Sequence, residues 1–142
     1  MGKETILYYQ SKYTRLSGSN YKDVLGEARS IYAFYSKRTK RIPYLRSKYY
    51  GGDKIFINVF WTHIMQKRIN ERTRRLKFYN CALDLIRNGR IHPIVKPNPN
   101  NKNEILYRFY GKSFDGCIFF IQIKENIKTG NKYLMSIVVP KS

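Results

Sequence analysis

The chain has 142 residues, 42% hydrophobic and 15% aromatic, enough to bury a core of its own and too apolar for a disordered chain. Its 28 Lys and Arg against 9 Asp and Glu leave a net charge of +19, which repels itself in a compact state and points to a polyanionic partner, nucleic acid first. Two Cys are too few for a disulfide scaffold, and two His and two Cys far apart give no zinc spacing, so no structural metal or other cofactor is expected.

The N-terminal MGKETILYYQ lacks the apolar core and small-residue cleavage site of a signal peptide, and Ile6 breaks the myristoylation pattern. No run approaches the ~18 apolar residues that a membrane helix needs, so the expected compartment is the cytoplasm. Residues 1–19 end in the loop signal SGSN and read as a short helix or strand. From Tyr21 a helix is predicted, with Val24, Leu25, Ala28, Ile31, Tyr32 and Tyr35 at helical spacing and Ser19 or Asn20 as its cap. Pro43 stops any continuation, because it lacks an N–H and clashes with the preceding turn. Residues 1–41 thus form an N-terminal helical extension, and 42–142 a basic α+β domain packed with it as one unit.

Residues 37–54, KRTKRIPYLRSKYYGGDK, interleave cations with tyrosines. Cations neutralise phosphates and rings stack on unpaired bases, so Arg38, Arg41, Arg46 and Lys48 are candidate nucleic-acid contacts; the plainer reading is a Tyr-rich packing segment beside solvated cations. Gly51-Gly52 marks a sharp turn and KIFIN (54–58) a short strand. A long helix is predicted from Asn58, its cap, to Asn88, where Gly89 stops it. Trp61, Met65, Ile69, Leu76, Tyr79, Leu83 and Ile86 form its apolar stripe. His63, Lys67, Asn70 and Arg74 lie on the opposite face, while Arg72 falls inside the stripe. Either the helix breaks near Glu71–Thr73 or Arg72 finds a carboxylate, since an unpaired buried Arg is rare. The alternative sends Arg72 into a site between helix and sheet.

After Gly89 the period becomes strand-like. RIHPIVKP (90–97) is an edge segment bounded by prolines, and ILYRFY (105–110), CIFFIQIK (117–124) and YLMSIVV (133–139) are strands joined by short turns. The expected class is α+β, with N-terminal helices on one face of a small antiparallel meander of three to five strands. Ile121, Ile123, Met135, Ile137 and Val139 are assigned to the helix-covered face. The other parity holds Arg108, Tyr110, Gln122, Lys124 and Ser136, a surface able to receive a phosphodiester and also an ordinary polar sheet face.

The order of a helix, a basic helix with HIMQKRINERTRR, and a meander ending YLMSIVVP resembles the phage- and plasmid-borne barnase–EndoU–colicin–RelE-like ribonucleases. The resemblance covers residues 42–139 and is carried by IPYLRSKYYGGDKIFINVFWTHI, RRLKFYNCALDLIRN and the last strand with Ser136. It implies a metal-independent endoribonuclease, often a toxin in conflict systems, acting on RNA such as tRNA or mRNA and held by an acidic inhibitor.

Such cleavage uses the RNA 2′-hydroxyl as nucleophile, with a general base, a general acid and a cation on the phosphorane. His63 is the candidate acid or base and His92 the second choice, since imidazole titrates near neutrality. Arg72 or Arg74, with Arg108, would stabilise the phosphate, and Tyr107 or Ser136 would orient it. Lys67, Arg75, Lys77, Tyr110, Lys112 and Lys124 join the binding residues named above. The nine Asp and Glu form no paired or DxD cluster, which speaks against two-metal chemistry. A second reading is a binding module in which the same cations only neutralise phosphates; a third is a basic protein docking on an acidic partner. The discriminating feature is whether His63 meets the basic sheet face or lies alone on a solvated helix.

Overall fold

The computed structural model describes residues 5–140. In chain order the elements are β1 (Tyr8–Gln10), α1 (Tyr21–Ser36), β2 (Tyr44–Arg46), β3 (Lys54–Phe56), α2 (Val59–Ile64), α3 (Ile69–Leu76), α4 (Tyr79–Asn88), β4 (Ile94–Pro97), β5 (Glu104–Lys112), β6 (Ile118–Asn126) and β7 (Lys132–Val138). Helix α1 starts where Asn20 accepts a hydrogen bond from the Asp23 N–H at 2.9 Å, filling one of the open donors of the first turn. No helix is long and apolar enough to cross a membrane among the described residues.

The sheet differs from the expected small antiparallel meander. It is a seven-stranded, mixed, curled sheet in the order β1-β5-β6-β7-β3-β2, with β4 also on β5. Only β5–β6–β7 is the expected meander. Strands β1 and β3 join it in parallel, on β5 and β7, and β2 extends it antiparallel to β3. The physical reason for the difference is length: YYQ, YLR and KIF are three residues each, too short to show a period of two. The β2–β3 pair is local, but the parallel partners of β1 and β3 lie far away in sequence, on β5 and β7, so turn signals say nothing about those two pairings.

The helix expected over 58–88 is three helices. At the first break Arg68 is extended (φ −66°, ψ 156°), and at the second Phe78 leaves helical geometry (φ −92°, ψ 7°). Neither break contains Gly or Pro. The first is closed by Arg72, whose Nε and Nη2 donate to the carbonyls of Lys67 and Met65 at 2.8 and 2.7 Å. At the second, the Lys77 carbonyl accepts from the Leu16 N–H at 2.8 Å. Met65 and Ile69, assigned to the apolar stripe, are 44% and 57% exposed, whereas Ile64, Leu76, Tyr79, Leu83 and Ile86 are buried.

The core fills the space between the helices and one sheet face. Phe109, Phe119, Ile121, Ile123, Leu134 and Ile137 meet Phe60, Trp61, Leu76, Phe78, Tyr79 and Leu83, and Val24 and Ala28 of α1 join the same core. Ile121, Ile123 and Ile137 lie on the expected face. Met135 does not. Gln122 faces Ser136 but Ile123 faces Leu134, so β7 carries one extra residue there. The bulge turns Met135 to the outer face with Ser136 and leaves Leu134 and Ile137 inside. Val139 is half-buried against the core.

A buried carboxylate ties the first strand to the last helix. Asp84 on α4 accepts from Ser11 Oγ (2.8 Å), Asn88 Nδ2 (2.7 Å), Tyr9 Oη (3.1 Å) and the Lys12 N–H (3.2 Å). Proximity to Asp84, after burial itself, helps push the Tyr9 hydroxyl up to about 12.

The bulge gives a test of side-chain placement. Leu134→Asp and Ile137→Asp should abolish the cooperative melting transition, because each buries an unpaired charge. Met135→Lys, between them in sequence, should melt within a few degrees of the parent. Unfolding by Met135→Lys as severe as by its neighbours would show that β7 has no bulge.

Candidate functional site

The outer sheet face is ordered by cross-strand pairing. Ser136, Gln122 and Arg108 lie side by side on β7, β6 and β5, and Lys124 lies opposite Leu106. One step along, Val138, Phe120, Tyr110 and Tyr8 form an apolar and aromatic row. Tyr110 packs on Phe120 at 5.1 Å and edge-on to Tyr8 at 5.8 Å.

Strand β3 pairs with β7 only at Lys132 and Tyr133, so the second half of β7 has no strand beside it on that side. Helix α2 follows β3 directly and occupies that flank. A cleft of about 470 Å³ results. Its floor comes from Leu106, Gln122, Lys124, Met135 and Ser136, and its wall from Phe60, His63, Ile64, Gln66 and Lys67, with Arg75 from α3. Asn98 and Glu104 close one end. His63 therefore does not lie alone on a solvated helix: it opens onto the polar sheet face. Among the described residues, no hydrogen bond occupies the side chains of His63, Gln122 or Ser136, so their donors and acceptors are open to the cleft.

Two ion pairs fix the cleft's charges. Arg75 Nε meets Glu71 Oε2 at 2.7 Å, and its Nη1 donates to the Ile137 carbonyl at 3.2 Å, which pins the guanidinium against β7. Burial opposes ionisation of Glu71, but Arg75 and then Arg74 outweigh it and hold the carboxyl below its ordinary range. Glu104 meets Lys124 Nζ at 3.4 Å and accepts from Asn98 Nδ2 at 2.9 Å. Among the described residues Glu104 is the only carboxylate lining the cleft, against Lys67, Arg75 and Lys124. No three His, Cys, Asp or Glu side chains converge on a metal-sized site among the described residues.

No family model, curated protein or solved structure matches the chain.

Of the candidates for chemistry, His63 and Ser136 share the cleft, joined by Lys67, Arg75 and Lys124 from the binding set. Arg72 does not reach it: besides the two carbonyls it donates to Tyr21 Oη at 3.4 Å. Arg74 meets Glu71 at 3.5 Å and the Pro140 carbonyl at 3.4 Å. Tyr107 lies on the opposite sheet face, donating to Glu125 Oε1 at 2.6 Å; burial first, then that carboxylate, pushes its hydroxyl to about 12. Arg108 stands over the Phe120 ring at 4.4 Å and lines a separate hollow with His92 and Tyr110. His92 is exposed there, with Nδ1 3.4 Å from Tyr49 Oη.

The remaining binding candidates are scattered. Lys112 sits 5.8 Å from the Tyr8 ring, and Arg38 covers Phe34 at 3.4 Å. Lys77 ends α3, Arg41 is exposed between α1 and β2, and Arg46 and Lys48 line a hollow beside β2. Glu104 and Asn98 are not among the site residues read from the sequence, and Gln122 is placed there on the polar sheet face without a role of its own. Gln122 was readable from strand parity; Glu104 and Asn98 become neighbours only through the β4–β5 connection.

Glu71→Ala should cost about 0.5–1 kcal/mol, the scale of a partly exposed pair. Because the folded carboxyl titrates below its ordinary value, that contribution is full above roughly pH 4.3 and is lost as pH falls through the lower folded value. Acid melting curves of parent and variant should therefore converge at the low end. A constant gap down to pH 2 would show that Glu71 is not held ionised by Arg75.

Proposed function

We propose that this protein is an endoribonuclease that cleaves RNA through the substrate's own 2′-hydroxyl. The observation that carries the reading is His63 opening onto a cationic cleft floored by the outer sheet face. The 2′-oxygen attacks phosphorus, the 5′-oxygen departs, and a 2′,3′-cyclic phosphate remains. His63 moves one of the two protons, because imidazole accepts and donates near neutrality. Glu104, the one carboxylate lining the cleft among the described residues, is the partner for the opposite transfer.

Arg75, pinned by Glu71 and the Ile137 carbonyl, is the preorganised cation for the phosphorane; such fixed donors cost little reorganisation as charge develops. Lys67 and Lys124 add charge, and Gln122 and Ser136 supply hydrogen bonds to the phosphate or sugar. Arg75 thus takes the role first considered for Arg72 or Arg74. The aromatic row of Tyr8, Tyr110 and Phe120, with Arg108 and Lys112 beside it, is a path on which unpaired bases can stack. One lining carboxylate is a poor donor set for two metal ions, so the proposed chemistry is metal-independent. RNA targets put its work in the cytoplasm, and an acidic inhibitor could cover the same cleft. The likeness of residues 42–139 to the barnase–EndoU–colicin–RelE-like ribonucleases agrees with this reading, including a toxin role.

The aromatic row also favours the non-catalytic reading, a single-strand RNA-binding module. Incubation with RNA in excess chelator separates the two. The nuclease should release cyclic phosphate, and RNA with a 2′-deoxy group at the cleaved position should bind uncut. His63→Ala should lower the rate roughly 10² to 10⁴-fold with binding near normal, and Glu104→Gln should also slow cleavage. Arg75→Ala should weaken both steps. Full activity of His63→Ala would move the chemistry out of this cleft, and no cleavage by the parent protein would leave the binding module.

A further inference from the structure

We infer that the hollow between β2 and the C-terminal ends of α1 and α4 is a second phosphate site, which grips RNA away from the cleft. The inference rests on RNA being the ligand.

The hollow measures about 560 Å³, and its lining includes Arg46, Lys48, Arg87, Arg90, Tyr35 and Tyr44. It carries four cations and no Asp or Glu among the described residues. Two of the four are oriented. Arg87 Nη1 donates to Tyr35 Oη at 3.1 Å, and Arg46 Nη1 donates to the Gly52 carbonyl at 3.0 Å. A guanidinium has five N–H donors, so each keeps donors for a ligand. Lys48 and Arg90 are exposed.

Helix polarity accounts for part of this cluster. Arg87 and Arg90 lie at the C-terminal end of α4, where cations complement the helix dipole. That does not account for Arg46 and Lys48, which arrive from β2 and the loop after it. The loop turns back through Gly51 and Gly52, both at positive φ (66° and 98°), where a side chain is strained. This tight turn holds Arg46 and Lys48 against the end of α4. Four like charges around one concavity repel each other, and an anion seated among them relieves that repulsion.

A backbone phosphate fits the charge, and the Tyr35 and Tyr44 rings offer faces for adjacent bases. An RNA long enough to fill both hollows gains a second attachment. A dinucleotide, with one phosphodiester, cannot.

The test compares two double variants of equal charge. One is Arg87→Ala/Arg90→Ala, in the hollow. The other is Lys22→Ala/Lys128→Ala, exposed on α1 and in the β6–β7 turn. Binding of a 20-nucleotide single-stranded RNA with 2′-deoxy groups throughout its cleavable positions is followed by anisotropy from 50 to 200 mM salt, after melting curves show both variants folded. Two lost phosphate contacts should reduce the slope of log K against log salt by about 1.4 in the hollow variant. The control should keep the parent slope, and cleavage of an RNA dinucleotide should be unchanged in the hollow variant. Equal slopes in the two variants, or a parent-like slope in the hollow variant, would overturn the second site. Failure of the parent to cut any RNA would overturn the nuclease reading while leaving a slope difference to stand for the site.

Discussion

Helix α2 has its direction because Arg72 turns the corner after it. Its two short hydrogen bonds take the carbonyls of Met65 and Lys67, which the interrupted helix would otherwise leave open. A continuous helix from Asn58 would put His63 and the later arginines at fixed angles about one axis. The break releases α2 to lie along the unpaired half of β7, so His63 and Arg75, from different helices, border one cleft. A residue with no place in the cleft therefore sets the cleft's shape, and the cation that looked catalytic in the sequence is committed to the backbone.

The parity of the long strands was legible, since burial alternates over 108–112 of β5 and 118–124 of β6 and every buried position there is a large apolar side chain or glycine. The start of α1 was legible for a similar reason: Asn20 is a chemically specific cap. The helix breaks were not, because no Gly or Pro marks them and Met65 and Ile69 continue the apolar period while exposed to solvent. Nor was the bulge at Met135, since an inserted residue leaves no compositional mark. Within the cleft, His63, Ser136 and Lys124 follow from local periodicity. Glu104 and Asn98 depend on how β4 and β5 pair, which is tertiary information.

A net charge of +19 asks where so many cations can sit. Several are neutralised by neither acid nor bulk water alone. Arg29 lies over Trp61 at 4.5 Å, Arg38 over Phe34 at 3.4 Å and Arg108 over Phe120 at 4.4 Å. Ring faces attract a cation without consuming its charge. The protein thereby orders its guanidinium groups while keeping them electrically available to an anion. Three of the nine carboxylates fix geometry: Glu71 holds Arg75, Glu104 lines the cleft beside Lys124, and Asp84 ties α4 to the first strand.

The parallel strand at the sheet's far edge has a consequence for how the chain is assembled. Ser11 and Tyr9 reach Asp84, 73 and 75 residues on, and Tyr8 pairs with Tyr110, farther still, so the first strand's partners are made much later. On the ribosome β1 must wait, unpaired, while the helices emerge. It docks only when β5 has been synthesised, and closing so long a loop is slow. The β5 edge that β1 finally covers is an exposed hydrogen-bonding edge until then. Strand β3 is seated later still, since it pairs with β7, which is made after β5 and β6, so both parallel pairs close only after the helices between them have been made.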